Sequence, residues 1–186
     1  VLLIGIIMLL INPFVAAINT GLNNFLFSLS GINKIILGAI LAGMMSVDLG
    51  GPVNKAAYTF GTGMLAEGHY EIMAAVMIGG MVAPLAIAIL ATFFPRKLPK
   101  KERQAGLLNY VMGFSFISEG AIPFASADPL RVLVSCVIGS AISGALSMAF
   151  NCTLMAPHGG IFVLPLIGNP LGYTIALIVG SLVSAG

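Results

Sequence analysis

The stretch Ile72-Met73-Ala74-Ala75-Val76-Met77-Ile78-Gly79-Gly80-Met81-Val82-Ala83-Pro84-Leu85-Ala86-Ile87-Ala88-Ile89-Leu90-Ala91-Thr92-Phe93-Phe94 runs for 23 residues without a charge. Crossing the hydrocarbon core of a bilayer takes about 20 apolar residues in helical form. The stretch is therefore predicted to be a transmembrane helix, kinked at Pro84. On one side stands the small polar connection Glu67–Glu71. On the other stands Pro95-Arg96-Lys97-Leu98-Pro99-Lys100-Lys101-Glu102-Arg103, with five of the eight basic residues of the chain. A short loop this rich in Lys and Arg stays on the cytoplasmic side, so residues 72–94 are expected to run inward and Glu67–Glu71 to face outward.

The composition agrees with lipid as the solvent. Hydrophobic residues make up 59% and charged residues 8% of the 186, against about 25% charged in an ordinary soluble domain. Such a chain cannot cover itself with polar surface. A net charge of +2 gives no footprint for nucleic acid. Cys136 and Cys152 lie in apolar runs without metal-ligand or CxxC spacing, so they read as packing thiols, with no metal or cofactor implied. A second span is predicted over Leu130–Phe150. There Ser135, Gly139, Ser143 and Ser147 recur every four residues, a face on which a neighbouring helix approaches closely. Residues 161–186 form a last helical region broken by Pro165, Gly168, Asn169 and Pro170. Residues 1–18 read as part of a helix, followed by a polar connection to residue 30. Val1 opens without a basic flank and Gly186 ends in an apolar run, so the chain is expected to be a portion of a larger membrane domain.

Two segments put charge into this apolar background: Asp48-Leu49-Gly50-Gly51-Pro52-Val53-Asn54-Lys55, and Glu119-Gly120-Ala121-Ile122-Pro123 continuing to Asp128-Pro129-Leu130-Arg131. A charge at membrane depth costs about 2.5–3.5 kcal/mol even on lenient insertion scales. Each segment has an acid, then Gly, then Pro four residues after the acid, then a base. Paired Gly/Pro-interrupted apolar segments point to a transporter binding site, because unwound backbone and half-helix ends hold ligand there. The two are candidate re-entrant hairpins.

Glu119 reads as a ligand contact in preference to an ion pair with Arg131 or Lys55. Its carboxylate accepts two hydroxyl hydrogens and could take a hydroxyl proton, while Gly120 and the following Pro leave backbone to be satisfied by ligand. Asp48 and Lys55 read equally as ligand contacts or as a salt bridge. Asn54 offers donor and acceptor, which suits a polyol. Gly51 and Pro52 break the first segment. Asp128 precedes Pro129 and is predicted to cap the following helix. Arg131, in that helix's first turn, needs an anion nearby. His158, in Pro157-His158-Gly159-Gly160, reads either as a ligand contact or as a hydrogen-bonded loop residue.

Four stretches carry a resemblance: Gly50–Gly61, Gly113–Phe124, Ala127–Arg131 and Ala156–Phe162. Together they resemble the fructose-type enzyme IIC component of the bacterial phosphoenolpyruvate-dependent sugar phosphotransferase system. The resemblance implies an all-α polytopic inner-membrane permease of the glucose, fructose and lactose superfamily, with two re-entrant hairpins. It implies that residues 31–186 belong to the transport domain, that the assembly is a homodimer, and that the sugar is fructose or a related hexose. It also implies IIA and IIB phosphocarriers as partners, with IIB donating a phosphoryl group from its own cysteine to give fructose 1-phosphate. No phosphoryl-carrying or catalytic residue is then expected in this chain. Glu119 matches the family's sugar-binding Glu motif, and His158 lies in a fructose-family motif. An ion-coupled sugar carrier without phosphorylation, and an intramembrane serine protease using Ser143 and His158, are the alternatives.

Overall fold

The computed structural model describes residues 34–186 together with 12, 13, 17, 20, 21 and 24. The expected helix over 1–18 and its connection to residue 30 therefore lie largely outside the described residues. The long apolar run becomes a helix over Tyr70–Phe93, unbroken at Pro84. Among the described residues from 34 onward the α-helices are, in chain order, α1 (Lys34–Val47), α2 (Pro52–Ala66), α3 (Tyr70–Phe93), α4 (Lys100–Phe114), α5 (Ile122–Ala127), α6 (Pro129–Ala149) and α7 (Pro170–Ala185). Single 3-10 stretches cover Pro95–Lys97, Ser118–Ala121 and Gly160–Leu166. Among the described residues the extended pairing is one isolated bridge, Leu154 to Ile167. The basic connection is shorter than the sequence suggests, because Lys100–Arg103 already form the first turn of α4.

Helix α3 is the axis of the domain. It and α6 are long and apolar enough to cross a membrane, with 94% and 39% of their apolar windows buried. That difference assigns α3 to the centre and α6 to the outside, where Leu130, Val134 and Ile138 are exposed on one stripe. Leu171, Ile175, Ile178 and Leu182 form a similar outward stripe on α7. An outer surface this apolar suits lipid and not water.

The small-residue stripe of α6 behaves as predicted. Ser143 Oγ donates to the Ala176 carbonyl at 2.6 Å, and Gly139 lies against Gly180 and Ser184 on α7. Across α6, Gly144 abuts the Gly38 carbonyl of α1. Any side chain at either glycine would push the two backbones apart. Deeper in the same seam, Ser140 Oγ donates to the Gly79 carbonyl at 3.0 Å and lies 2.6 Å from Ser46 Oγ. This hydroxyl pair joins α1, α3 and α6 at the middle of α3.

The short helices form two hairpins on opposite ends of α3. Lys34 at the start of α1 pairs with Glu71 at 3.2 Å, and α2 ends beside the start of α3. The last two turns of α1, through Ala42, Met45 and Ser46, lie against Gly79 and Gly80, the tenth and eleventh of the 24 residues of α3, and lead directly into the turn to α2. Helices of 14 and 15 residues reach about 21–23 Å at 1.5 Å per residue, well short of the span of α3. The second hairpin starts from the basic end. Helix α4 rises until Gly113 meets Leu85, and α5 returns so that Phe124 lies near Gly106. Its turn also reaches the middle of α3, where the Phe116 ring packs on Gly80.

Candidate functional site

The first turn is built by its acid. Beyond Val47 the chain reverses through Leu49 at φ 46° and Gly50 at φ 107°. Pro52 opens α2 in its first turn, where a missing N–H is harmless. The Asp48 carboxylate accepts the N–H groups of Val53 at 2.7 Å and Asn54 at 3.0 Å. It thereby satisfies two orphan donors and places negative charge at the positive end of the helix. Asn54 is held in turn, 7% exposed, with Nδ2 donating to the Met45 carbonyl at 2.6 Å and to Ser118 Oγ at 3.4 Å. Those bonds use its amide hydrogens, so its carbonyl oxygen remains the group available to a ligand.

The second turn places its acid differently. Helix α4 ends at Phe114, Phe116 adopts φ 61°, and the 3-10 turn Ser118–Ala121 follows. Glu119 does not cap α5. Its carboxylate lies against Gly50 of the first turn, where a Cβ would stand 2.7 Å from Oε1. Gly50 therefore meets two demands that only glycine satisfies, a positive φ and contact with a carboxylate. The two turns touch through this pair. A third segment, residues 155–166, dips to the same depth, with Gly160 against the Phe114 carbonyl. It brings the His158 ring to 5.1 Å from Phe116, tilted by 58°. Tyr58 lies on another side of Phe116, with ring centroids 6.2 Å apart.

Between these segments is a cavity of about 450 Å³, lined by Asn54, Lys55, Ser118, Glu119 and His158 with the rings of Tyr58 and Phe116. Among the described residues, ion pairs form only between Lys34 and Glu71 and between Asp128 and Arg131. Lys55 and Glu119 thus face the cavity with their charges uncommitted. The wall offers an anion that accepts, a cation that donates, an imidazole, a hydroxyl and an amide oxygen, beside aromatic surface. This set suits a neutral ligand with many hydroxyls and an apolar C–H face.

Of the residues singled out from the sequence, the fold gathers Asn54, Lys55, Glu119 and His158 at this cavity. Asp48, Gly51, Pro52 and Gly120 shape the two turns and do not line it. Neither an Asp48–Lys55 nor a Glu119–Arg131 bridge forms. Asp128 caps α6 by accepting the Arg131 N–H at 3.4 Å and pairs with the Arg131 guanidinium at 3.6 Å, both well exposed. These two residues line a separate cavity of about 620 Å³ at the basic end, with Lys97 and Glu102. Ser143 is fully buried between α6 and α7 with its hydroxyl committed to Ala176, and His158 lies at the other cavity. That separation corrects the serine protease alternative, since the nucleophile has no base beside it. Tyr58, Phe116 and Ser118 were not singled out from the sequence. An aromatic or a serine has no distinguishing signal in so apolar a chain.

These features define an integral membrane protein of helical type with an open polar cavity between its two turns and the 155–166 segment. A sequence profile described as "Phosphotransferase system, EIIC" matches residues 1–140, and the chain belongs to that family. It is 50% identical over 182 residues to the "Fructose permease IIC component" of Bacillus amyloliquefaciens, covering 97% of this chain and 60% of that one. It is 50% identical over 187 residues to the "PTS system fructose-specific EIIB'BC component" of Escherichia coli (strain K12), covering 98% and 33%. A "PTS system fructose-specific EIIC component" of Haloferax volcanii is 47% identical over 168 residues, covering 90% and 45%. The chain thus spans between about a third and 60% of the length of these relatives. No solved structure matches it.

Proposed function

We propose that this chain is the sugar-binding part of a phosphotransferase-system permease that carries fructose across the cell membrane and presents it for phosphorylation. The observation that carries the reading is the convergence of two helical turns from opposite ends of α3 on Glu119, Asn54, Lys55 and His158. On this reading α1–α2 and α4–α5 are re-entrant hairpins, each entering and leaving on one side of the membrane. Their polar tips are tolerated at mid-depth because they line a cavity. The basic residues 95–103 then lie in the cytoplasm, Glu67–Glu71 lies outside, and the chain is multi-pass and part of a homodimer. The wider family resemblance to the glucose, fructose and lactose superfamily supports the same arrangement.

The chemistry follows from the wall. The Glu119 carboxylate accepts hydroxyl hydrogens in charge-assisted bonds. The Asn54 oxygen, the Ser118 hydroxyl and the Lys55 ammonium complete the polar contacts. Tyr58 and Phe116 face the C–H surface of the sugar. When phosphorylated IIB docks from the cytoplasmic side, O1 of the sugar attacks phosphorus and the sulfur–phosphorus bond of the phosphocysteine breaks. The thiolate leaves, the hydroxyl proton passes to Glu119, and Lys55 faces the transferred anionic group. The IIA domain recharges IIB, and the charged product cannot return through the lipid.

The test is formation of fructose 1-phosphate by membranes carrying the complete permease, with purified soluble carriers and phosphoenolpyruvate. Product that depends on phosphoenolpyruvate supports the reading. Uptake of free fructose that persists when the phosphoryl donor is omitted identifies an ion-coupled carrier instead.

A further inference from the structure

Behind the Ser118–Ala121 turn, α4 presents a residue that does not line the cavity. Asn109 is 2% exposed, and its Nδ2 donates to the Ala105 carbonyl at 3.2 Å. Its Oδ1 is buried without any hydrogen-bond partner. That oxygen lies against Gly120, where an added Cβ would collide with it and stand 3.0 Å from Met112 Cβ. The Gly120 N–H meanwhile reaches the Ile117 carbonyl at 3.4 Å, at the long limit of a hydrogen bond. The other orphan side-chain atoms among the described residues are hydroxyls of Ser147, Ser181 and Ser184, on α6 and α7 away from this turn.

A buried acceptor without a donor lowers stability, and a leucine of similar volume would remove the penalty. An amide kept there at such a cost points to a use in function. Gly120, the residue that Oδ1 touches, carries the long-bonded N–H directly after Glu119. We propose that Asn109 is the positioning residue for Glu119. Its Oδ1 is the seat for Gly120, and it takes over the Gly120 N–H from Ile117 when bound sugar draws the Glu119 turn inward. The inference rests on the reading that Glu119 contacts the sugar.

The experiment uses the complete permease in lipid nanodiscs, with equilibrium binding of labelled fructose and thermal unfolding measured on the same samples. Asn109→Leu is expected to weaken fructose binding about tenfold, while thermal stability stays level or rises. A purely structural asparagine would instead lose stability on replacement, or lose nothing. Either result overturns the proposal. A second measurement guards against a variant that fails to insert. Gly120→Ala should weaken binding by pressing on Oδ1, and Asn109→Ala added to it should restore part of the loss. Non-additivity in that cycle supports the proposal, and strict additivity overturns it. Glu119→Gln run alongside separates the two levels. Unchanged binding in that variant overturns the reading of Glu119 itself, whereas loss there with no effect at Asn109 overturns only the present inference.

Discussion

Replacing Glu119 by Gln changes one atom's chemistry and almost no volume. The carboxylate has no ion pair or hydrogen bond to a described residue, so the substitution breaks nothing inside the protein. Its cost should appear only when ligand is bound. A hydrogen bond to a charged group contributes about 1.5–3 kcal/mol net and a neutral one about 0.5–1.5. Losing the charge assistance on one or two such bonds should therefore cost about 1–3 kcal/mol, or about 5- to 150-fold in fructose affinity. Phosphorylation should fall further, because the amide cannot take up the hydroxyl proton. The assay is binding of labelled fructose to the purified permease in nanodiscs, with unfolding temperature and phosphorylation rate from the same preparation. Affinity within twofold of wild type would refute the contact. A fall of several degrees in unfolding temperature with unchanged affinity would assign Glu119 to structure.

Other substitutions should separate the roles of neighbouring residues. Gly50→Ala forces an L residue into φ 107° beside the Glu119 carboxylate; fructose binding should be lost while membrane insertion, followed by fractionation, is retained. Asp48→Ala removes both bonds to the start of α2; it should lower stability by about 0.5–2 kcal/mol, as other caps do, and weaken binding through displaced Asn54. Gly144→Val drives a side chain onto the Gly38 carbonyl; overpacking of this kind costs about 1–3 kcal/mol, read as a lower unfolding temperature in nanodiscs.

The repeated pattern of acid, Gly and Pro shows how far local sequence reaches. It locates both turns, and they do lie at the two breaks between helices. Yet the two acids do different work. Asp48 is short, sits four residues before Pro52, and turns back to accept the N–H groups at the start of α2. Glu119 is longer and lies within a 3-10 turn, so its carboxylate extends towards Gly50 of the other hairpin. The spacing is the same, but the contact partner comes from 69 residues away in the chain (119 − 50).

The sequence by itself determined that the chain lives in lipid, where the two longest helices among the described residues run, and where helix breakers end the shorter helices between them. Those outcomes depend on transfer free energies and backbone preferences that each stretch carries alone. It also marked Asp128 as a cap and the small-residue stripe of α6 as a close helix contact, since both are local geometric facts. Tertiary structure alone decided that two hairpins from opposite ends meet at the middle of α3. It put Tyr58, Phe116 and Ser118 around Glu119, set Asp48 and Arg131 apart from the cavity, and left Asn109 Oδ1 unpaired under Gly120. In a chain whose background is uniformly apolar, nothing local distinguishes a wall residue from a lipid-facing one. The distinction arises only when the glycine-lined seams between α1, α3 and α6 let the backbones close and fix which side chains face inward.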